Sequence, residues 1–331
     1  MNLYDVAVVG ATGLVGRKMV QVLEERKFPV GKLRLLATAK SVGKTVEFNG
    51  KVIPIEVLTP ESFKGIELAL FSAGATVSKE FAPIAVSAGT LVIDNSSAYR
   101  MDEHVPLVVP EVNPRQIMHH KGIIANPNCS TIQMVVALKP LHDKWRIRRI
   151  VVATYQSVTG AGKMGIDQLE AELARQPVIA HKFPHPIAFN ILPQVDVFYE
   201  DGSTREERKM MYETKKIFGD ENIKVSATCV RVPVVGGHCE AVNIEFEKPF
   251  ELSEIRETLQ HAPGVCIQDD VSRNIYPMPI WVHEKDEVFV GRIRRDETIK
   301  NGLNLWIVSD NLRKGAAVNA VQIAEEWLKR K

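Results

Sequence analysis

Apolar and polar positions follow one another in two different styles along this chain, and the change falls near residue 130. Before it, short continuous apolar runs lead into small or polar turns. Residues 3–9 are such a run, Gly10-Ala11-Thr12-Gly13-Leu14-Val15-Gly16 is the turn, and Val15, Met19, Val22 and Leu23 then recur at helical spacing. Further strands are predicted over 33–37, 67–71 and 90–93, the last two ending in Ser72-Ala73-Gly74 and in Asp94-Asn95-Ser96-Ser97-Ala98-Tyr99-Arg100. A helix is expected from Cys129 to near Asp143 on the stripe Ile132, Val135, Val136, Leu138 and Leu141. Beyond it the strands lengthen, over 147–155, 187–197, 223–233, 239–246, 288–293 and 303–308, interrupted by helices over 163–175 and 205–218. A last helix over 314–330, striped by Ala317, Ala320, Ile323, Ala324 and Trp327, is expected to return to the first part.

The fold class that follows is α/β. A Rossmann-type dinucleotide-binding domain (1–128 plus 311–331) precedes an α+β domain with a large mixed sheet (129–310). At 331 residues two domains are the default. Composition narrows the function classes. Lys and Arg number 42 against 40 Asp and Glu, a formal charge of +2 without long runs of one sign, which leaves no footprint for nucleic acid or an anionic membrane. Met1 to Asp5 lacks a basic segment ahead of the first apolar run, and no apolar run nears the ~18 residues of a membrane span. Four cysteines, at 129, 229, 239 and 266, do not read as a disulfide framework, so a cytoplasmic location is expected. Neither C-x-x-C nor H-E-x-x-H occurs, and no metal is expected.

Candidate chemistry sits in the turns. Gly10, Gly13 and Gly16 follow the first strand and open a helix, where they allow a tight turn and a close approach of pyrophosphate to the helix N-terminus. The residues beyond the second strand, Thr38, Lys40 and Ser41, include no acid to hold a ribose 2′-hydroxyl and suit a 2′-phosphate, which favours NADP. The tails after the third and fourth strands fall at the strand ends where doubly wound sheets bind ligands. Arg100 in the second of them is a surface cation or an anion-binding group. Cys129, in Asn126-Pro127-Asn128-Cys129-Ser130-Thr131, is a nucleophile at a helix N-terminus or a small buried hydrophobe. Gln156 precedes Gly160-Ala161-Gly162, Glu206 and Lys209 share a helix face, and Arg231 and His238 bracket Val232-Pro233-Val234-Val235-Gly236-Gly237. Singly, each has an ordinary structural explanation.

Together, in this order, these motifs resemble aspartate-β-semialdehyde dehydrogenase. Pro186-Ile187-Ala188-Phe189-Asn190, Gly237-His238-Cys239-Glu240 and Ser309-Asp310-Asn311-Leu312-Arg313 add to the likeness, which runs through nearly the whole chain. The resemblance implies an NADPH-dependent reductive dephosphorylation of L-aspartyl-4-phosphate to L-aspartate 4-semialdehyde. That step serves biosynthesis of lysine, threonine, methionine and isoleucine. It implies Cys129 as nucleophile forming a thioester, His238 as general acid/base and Gln156 orienting the intermediate. Arg231 would pair with the α-carboxylate, Arg100 and Lys209 would hold phosphate, and Glu206 the α-ammonium, with Glu207 the neighbour that could replace it. NADP contacts are expected from Gly10, Thr12, Gly13, Leu14, Val15, Gly16, Thr38, Lys40, Ser41, Ser72, Ala73, Gly74, Asn95, Ser157, Gly160, Gly162 and Asn311. A homodimer built on the large sheet is expected too. Lys40 stands where arginine is common in the family, and Cys239 where serine or threonine is usual. The alternatives are an N-acetyl-γ-glutamyl-phosphate reductase-like enzyme and a catalytically silent nucleotide-binding relative.

Overall fold

The computed structural model of the chain describes residues 2–330. It divides into two compact units, Met1–Asn128 with Ala316–Lys331, and Cys129–Gly315.

In the first unit β1 (Tyr4–Val9), α1 (Leu14–Glu25) and β2 (Val30–Ala37) follow in order. The hairpin β3 (Thr45–Phe48) and β4 (Lys51–Val57) comes next, then β5 (Leu68–Phe71), α2 (Ala75–Ser87), β6 (Leu91–Asp94) and β7 (Ile123–Ala125). The sheet order is β3-β4-β2-β1-β5-β6-β7, parallel throughout except for β3 on β4. The unbroken apolar runs have a direct cause, because both faces of the central strands are covered. Val6, Val8, Leu68, Leu70 and Ile93 pack with Met19 and Leu23 of α1 on one face. Ala7, Val9, Ala69, Phe71 and Val92 pack with Phe63 and with Ala82 and Ala85 of α2 on the other. The C-terminal helix (Val318–Arg330) joins the α1 side through Val318, Ala320, Val321, Ile323 and Ala324.

The second unit opens with α3 (Cys129–Trp145). After it come β8 (Ile147–Gln156), α4 (Lys163–Leu173), α5 (Arg205–Phe218), β9 (Lys224–Arg231), β10 (His238–Phe246) and α6 (Leu252–Gln260). The short β11 (Val265–Ile267) and α7 (Pro279–Val282) precede β12 (Val288–Asp296) and β13 (Gly302–Ser309). Its sheet, β11-β12-β13-β10-β8-β9, is mixed: β11/β12 and β8/β9 are parallel and the other neighbours antiparallel. Helices α3, α5 and α6 lie against it. Thr204 and Glu207 form a reciprocal capping box that starts α5, and Gly219 at φ +66° stops it.

Three expectations need correction. Residues 187–197 are not a strand: only Leu192 pairs, with Arg231, and Phe189 and Asp196 sit at positive φ on either side of Pro193. Residues 311–315 group with the second unit, because Asn311 and Arg313 bond to Thr159, Gly237, Glu284 and Asp286 there. The last helix begins later than 314, after a π-helical turn at Arg313–Ala317.

Candidate active site

In the second unit, three strand ends bring the candidate side chains to one edge of the sheet. Gln156 closes β8 and pairs with Arg231, which closes β9, while His238 opens β10 just beyond the Tyr155–Cys239 pair. His238 is wholly buried, and its Nδ1 accepts the Ser157 N–H at 3.1 Å. The ring proton of the neutral form therefore sits on Nε2, an atom with no partner among the described residues. Burial first, and the Arg231 charge second, hold the imidazole pKa down at about 3 against the opposing pull of Glu206, so the ring is neutral at neutral pH.

Arg231 donates from Nη1 to the Ser157 carbonyl at 2.6 Å, while its Nε is unpartnered. Burial lowers its pKa, and the Glu206 carboxylate and the Cys129 thiol oppose that; a guanidinium stays cationic under such a shift. A methyl group on Gly160 would lie 2.9 Å from Arg231 Nη1 and 3.0 Å from His238 Nε2. The space over that glycine is thus flanked by a cation and by a neutral N–H donor. Cys129 is half-buried as the first residue of α3, where the helix dipole favours a thiolate.

The register of α5 separates the two candidate glutamates. Glu206 is buried, accepts from Gln156 Nε2 at 3.1 Å and from Lys209 Nζ at 2.9 Å. Glu207 is instead spent on the helix cap and on the Cys229 backbone N–H. Gln156 also donates to Thr154 Oγ1 at 3.2 Å. Lys209 is drawn down by burial, but Glu206 and Asp196 outweigh this and leave its pKa raised. Asp196, 3.0 Å from Lys209 Nζ, was not anticipated from the sequence. Pro193, inside what reads as a strand, was the available signal that this segment turns back as a loop.

Ser157 and Asn311, expected as cofactor contacts, hold the glycine turn together. Ser157 Oγ accepts from Thr159 N and Gly236 N, and Asn311 Oδ1 accepts from Thr159 Oγ1 at 2.8 Å and Gly237 N at 3.2 Å. Gly162, at φ +80°, leads into α4. Cys239 points away from His238, into an apolar cluster with Val282, Phe289 and Val308, and burial pushes its thiol up to about 12. That orientation fits a neutral replacement rather than a disulfide partner for Cys129. Among the described residues, His283, Glu284 and Asp310 could offer three ligand atoms to a metal. Asp310 is already engaged by His283 and by the N–H groups of Glu284, Leu312 and Arg313, and the Arg313 guanidinium lies on Glu284, so the group reads as a structural brace.

In the first unit the glycine turn has the shape a dinucleotide needs. A Cβ on Gly16 would stand 2.2 Å from the Gly10 carbonyl, so α1 approaches β1 as closely as backbone allows. Gly13 N–H closes the turn on Gly10 O, and Gly13, Leu14 and Val15 at its crest keep some exposure. Thr12 and Ser41 hydroxyls meet at 3.2 Å, with Thr38 and Lys40 exposed beside Ser41. Ser72, Ala73 and Gly74 follow β5, and Gly74 at φ +89° opens α2. Asn95 Oδ1 accepts from Asn126 Nδ2, and Arg100 donates to the carbonyls of Asn126 and Asn95, so Arg100 braces the turn that leads to Cys129. The cradle, the hydroxyl pair and Lys40 fit a phosphorylated dinucleotide.

Known proteins match along the whole chain. The family models described as semialdehyde dehydrogenase, NAD binding domain, and semialdehyde dehydrogenase, dimerisation domain, match residues 5–120 and 138–314. The aspartate-semialdehyde dehydrogenase of Aquifex aeolicus is 58% identical over 334 residues, covering 98% of each chain. Aspartate semialdehyde dehydrogenase II of Vibrio cholerae, solved in complex with ASA, superimposes with a TM-score of 0.96 at 48% identity over 99% of each chain. That of Candida albicans, solved with NADP, does so with a TM-score of 0.77 at 26% identity over 98% of each.

Proposed function

Because the chain belongs to the aspartate-semialdehyde dehydrogenase family, we propose that Cys129 is its nucleophile and that the polar edge of its second sheet handles the substrate. The enzyme catalyses the reversible, NADPH-dependent reductive dephosphorylation of L-aspartyl-4-phosphate to L-aspartate 4-semialdehyde, a step of amino-acid biosynthesis. It carries the family's dimerisation domain and works as a homodimer, for which the partly exposed sheet face bearing Val151, Ala153 and Tyr155 is the proposed interface. The biosynthetic role supports a cytoplasmic location, and among the described residues no helix is long and apolar enough to cross a membrane.

The observation that carries the site is the convergence of Arg231 Nη1 and His238 Nε2 over Gly160. In the biosynthetic direction the Cys129 thiolate attacks the acyl carbon. A C–S bond forms, the C–O bond to phosphate breaks, and phosphate leaves a thioester on Cys129. NADPH, when bound, supplies the hydride that reduces the thioester carbon; Gly10, Thr12, Gly13, Leu14, Val15, Gly16, Thr38, Lys40, Ser41, Ser72, Ala73, Gly74 and Asn95 are proposed to hold it, with Ser157, Gly160, Gly162 and Asn311. Neutral His238 keeps a proton on Nε2 that it can lend to the oxygen of the cysteine adduct and recover when the adduct collapses. Arg231 takes the α-carboxylate and Glu206 the α-ammonium, while Gln156, tied to Thr154 and Glu206, orients the adduct. Lys209 and Arg100 are the proposed phosphate ligands.

The test is phosphate-dependent NADPH formation from aspartate semialdehyde and NADP, followed by absorbance. Wild type should turn over, and Cys129→Ala should lose on the order of 10⁴-fold or more, as removal of a covalent nucleophile does. Unchanged turnover in the variant would sink the assignment of Cys129. Turnover of N-acetylglutamate semialdehyde in place of aspartate semialdehyde would move the substrate reading.

A further inference from the structure

One layer below His238 lies a group the chemistry above leaves unused. Glu240 is two residues along β10 from His238, on the same face, between Thr154 of β8 and Ile307 of β13. It is wholly buried, and among the described residues neither carboxyl oxygen has a hydrogen-bond partner. Unpaired buried polar atoms are rare enough to require a reason.

The groups around Glu240 supply no charge to hold it ionised. Thr154 and Ile307 flank it, Cys229 lies next to Thr154 on β9, and Gln133 comes from α3. The nearby titratable groups are thiols pushed up by burial, Cys229 and Cys239, and the neutral His238. Burial drives the Glu240 carboxyl well above the usual range; Gln133 opposes this but stands short of hydrogen-bond geometry. Burial thus favours the protonated, neutral form of Glu240.

Gln133 makes the connection to the site. It is buried, one helical turn after Cys129, and its Nε2 donates to the His238 carbonyl at 3.3 Å. We propose that Gln133 and Glu240 are positioning residues that set the start of β10, with His238, against the first turn of α3, with Cys129. This rests on the reading of Cys129 and His238 as the reacting groups. Gln133 Nε2 carries two N–H groups, and the one on the His238 carbonyl can stay in place whichever way Glu240 meets the amide. A neutral acid can offer its own O–H to Gln133 Oε1 and leave that N–H in place.

Gln133→Met, Glu240→Leu and Glu240→Gln test it, with kcat, KM and alkylation of Cys129 by iodoacetamide followed across pH on its own peptide by mass spectrometry. Gln133→Met and Glu240→Leu should each lose roughly ten-fold in kcat, with KM within about two-fold, and should shift the pH midpoint of alkylation. Glu240→Gln, which keeps a donor and an acceptor, should rescue both readouts relative to Glu240→Leu. Its melting temperature should also lose the downward slope with pH that Glu240 imposes on the wild type above pH 4.5, where the unfolded chain ionises this residue before the folded one does. Folded Gln133→Met and Glu240→Leu proteins with wild-type kcat and alkylation would overturn the proposal. So would a Glu240→Gln protein as impaired as Glu240→Leu. Should the first two variants fail to fold, an unchanged melting slope in Glu240→Gln overturns it and a lost slope supports it. Cys129→Ala separates the layers: lost turnover there beside intact Gln133→Met breaks only the positioning role, whereas turnover retained in Cys129→Ala breaks both.

Discussion

The two glycine turns of this enzyme differ in what their missing side chains make room for. In the turn of the first unit a Cβ on Gly16 would meet backbone, the Gly10 carbonyl at 2.2 Å and Ala11 Cα at 2.8 Å. Gly10, at φ +85°, would press a Cβ onto the Ser72 and Ala73 backbone at 2.9 Å. Backbone at the ends of buried parallel strands has little room to step aside. In the turn of the second unit the three atoms nearest a Cβ on Gly160 are side-chain ends, those of Arg231 and His238. One glycine is required by the fold and the other by the proposed site, a difference that glycine spacing does not reveal and the surrounding atoms do.

The largest effect should come from Gly16→Ala. The added methyl has no direction of escape, so the cost should reach or exceed the ~1–3 kcal/mol of ordinary overpacking. Loss of soluble protein, or a collapse of the urea midpoint, would show it; a stable variant with wild-type NADPH affinity would break the first half of the comparison. Gly160→Ala is the converse. Its urea midpoint should stay near wild type while kcat falls on the order of 100-fold, because small displacements of reacting groups are costly. A destabilised but fully active Gly160→Ala protein would reverse the assignment.

The same contrast explains what the sequence made legible. The strand–turn–helix of the first unit is written locally, since a run buried on both faces stays apolar at every position and the glycines sit where the chain must turn tightly. Cys129 at the head of α3 is local as well, set by the apolar stripe that follows it. The second site depends on contacts between distant segments. Nothing near Glu206 distinguishes it from Glu207 until the capping box claims Glu207 and Gln156 reaches Glu206 across 50 residues of sequence. Asp196 was hidden because residues 187–197 have the apolar content of a strand, yet pair only at Leu192. Ser157 and Asn311 show their bracing role only once the turn they hold together is seen.

The smallest effect sharpens the comparison through pH, because the first turn holds no titratable group and the second encloses His238. Folded His238 has a pKa of about 3, against an ordinary value of 6.5. Above pH 6.5 the ring is neutral in both states and contributes no slope. As pH falls from there toward 3, the unfolded chain binds a proton that the folded chain refuses, so stability drops by up to about 1.4 kcal/mol per unit. Glu240 acts in the opposite sense above pH 4.5, since its raised folded pKa favours the folded state at low pH, and in wild type the two partly cancel between pH 4.5 and 6.5. The contribution of His238 is therefore read as a difference. Replacing His238 by Gln should make the urea midpoint fall less, or even rise, between pH 6.5 and 5, while Glu240→Gln should steepen its fall. Parallel curves for wild type and His238→Gln would mean that burial does not hold the imidazole pKa below its ordinary value.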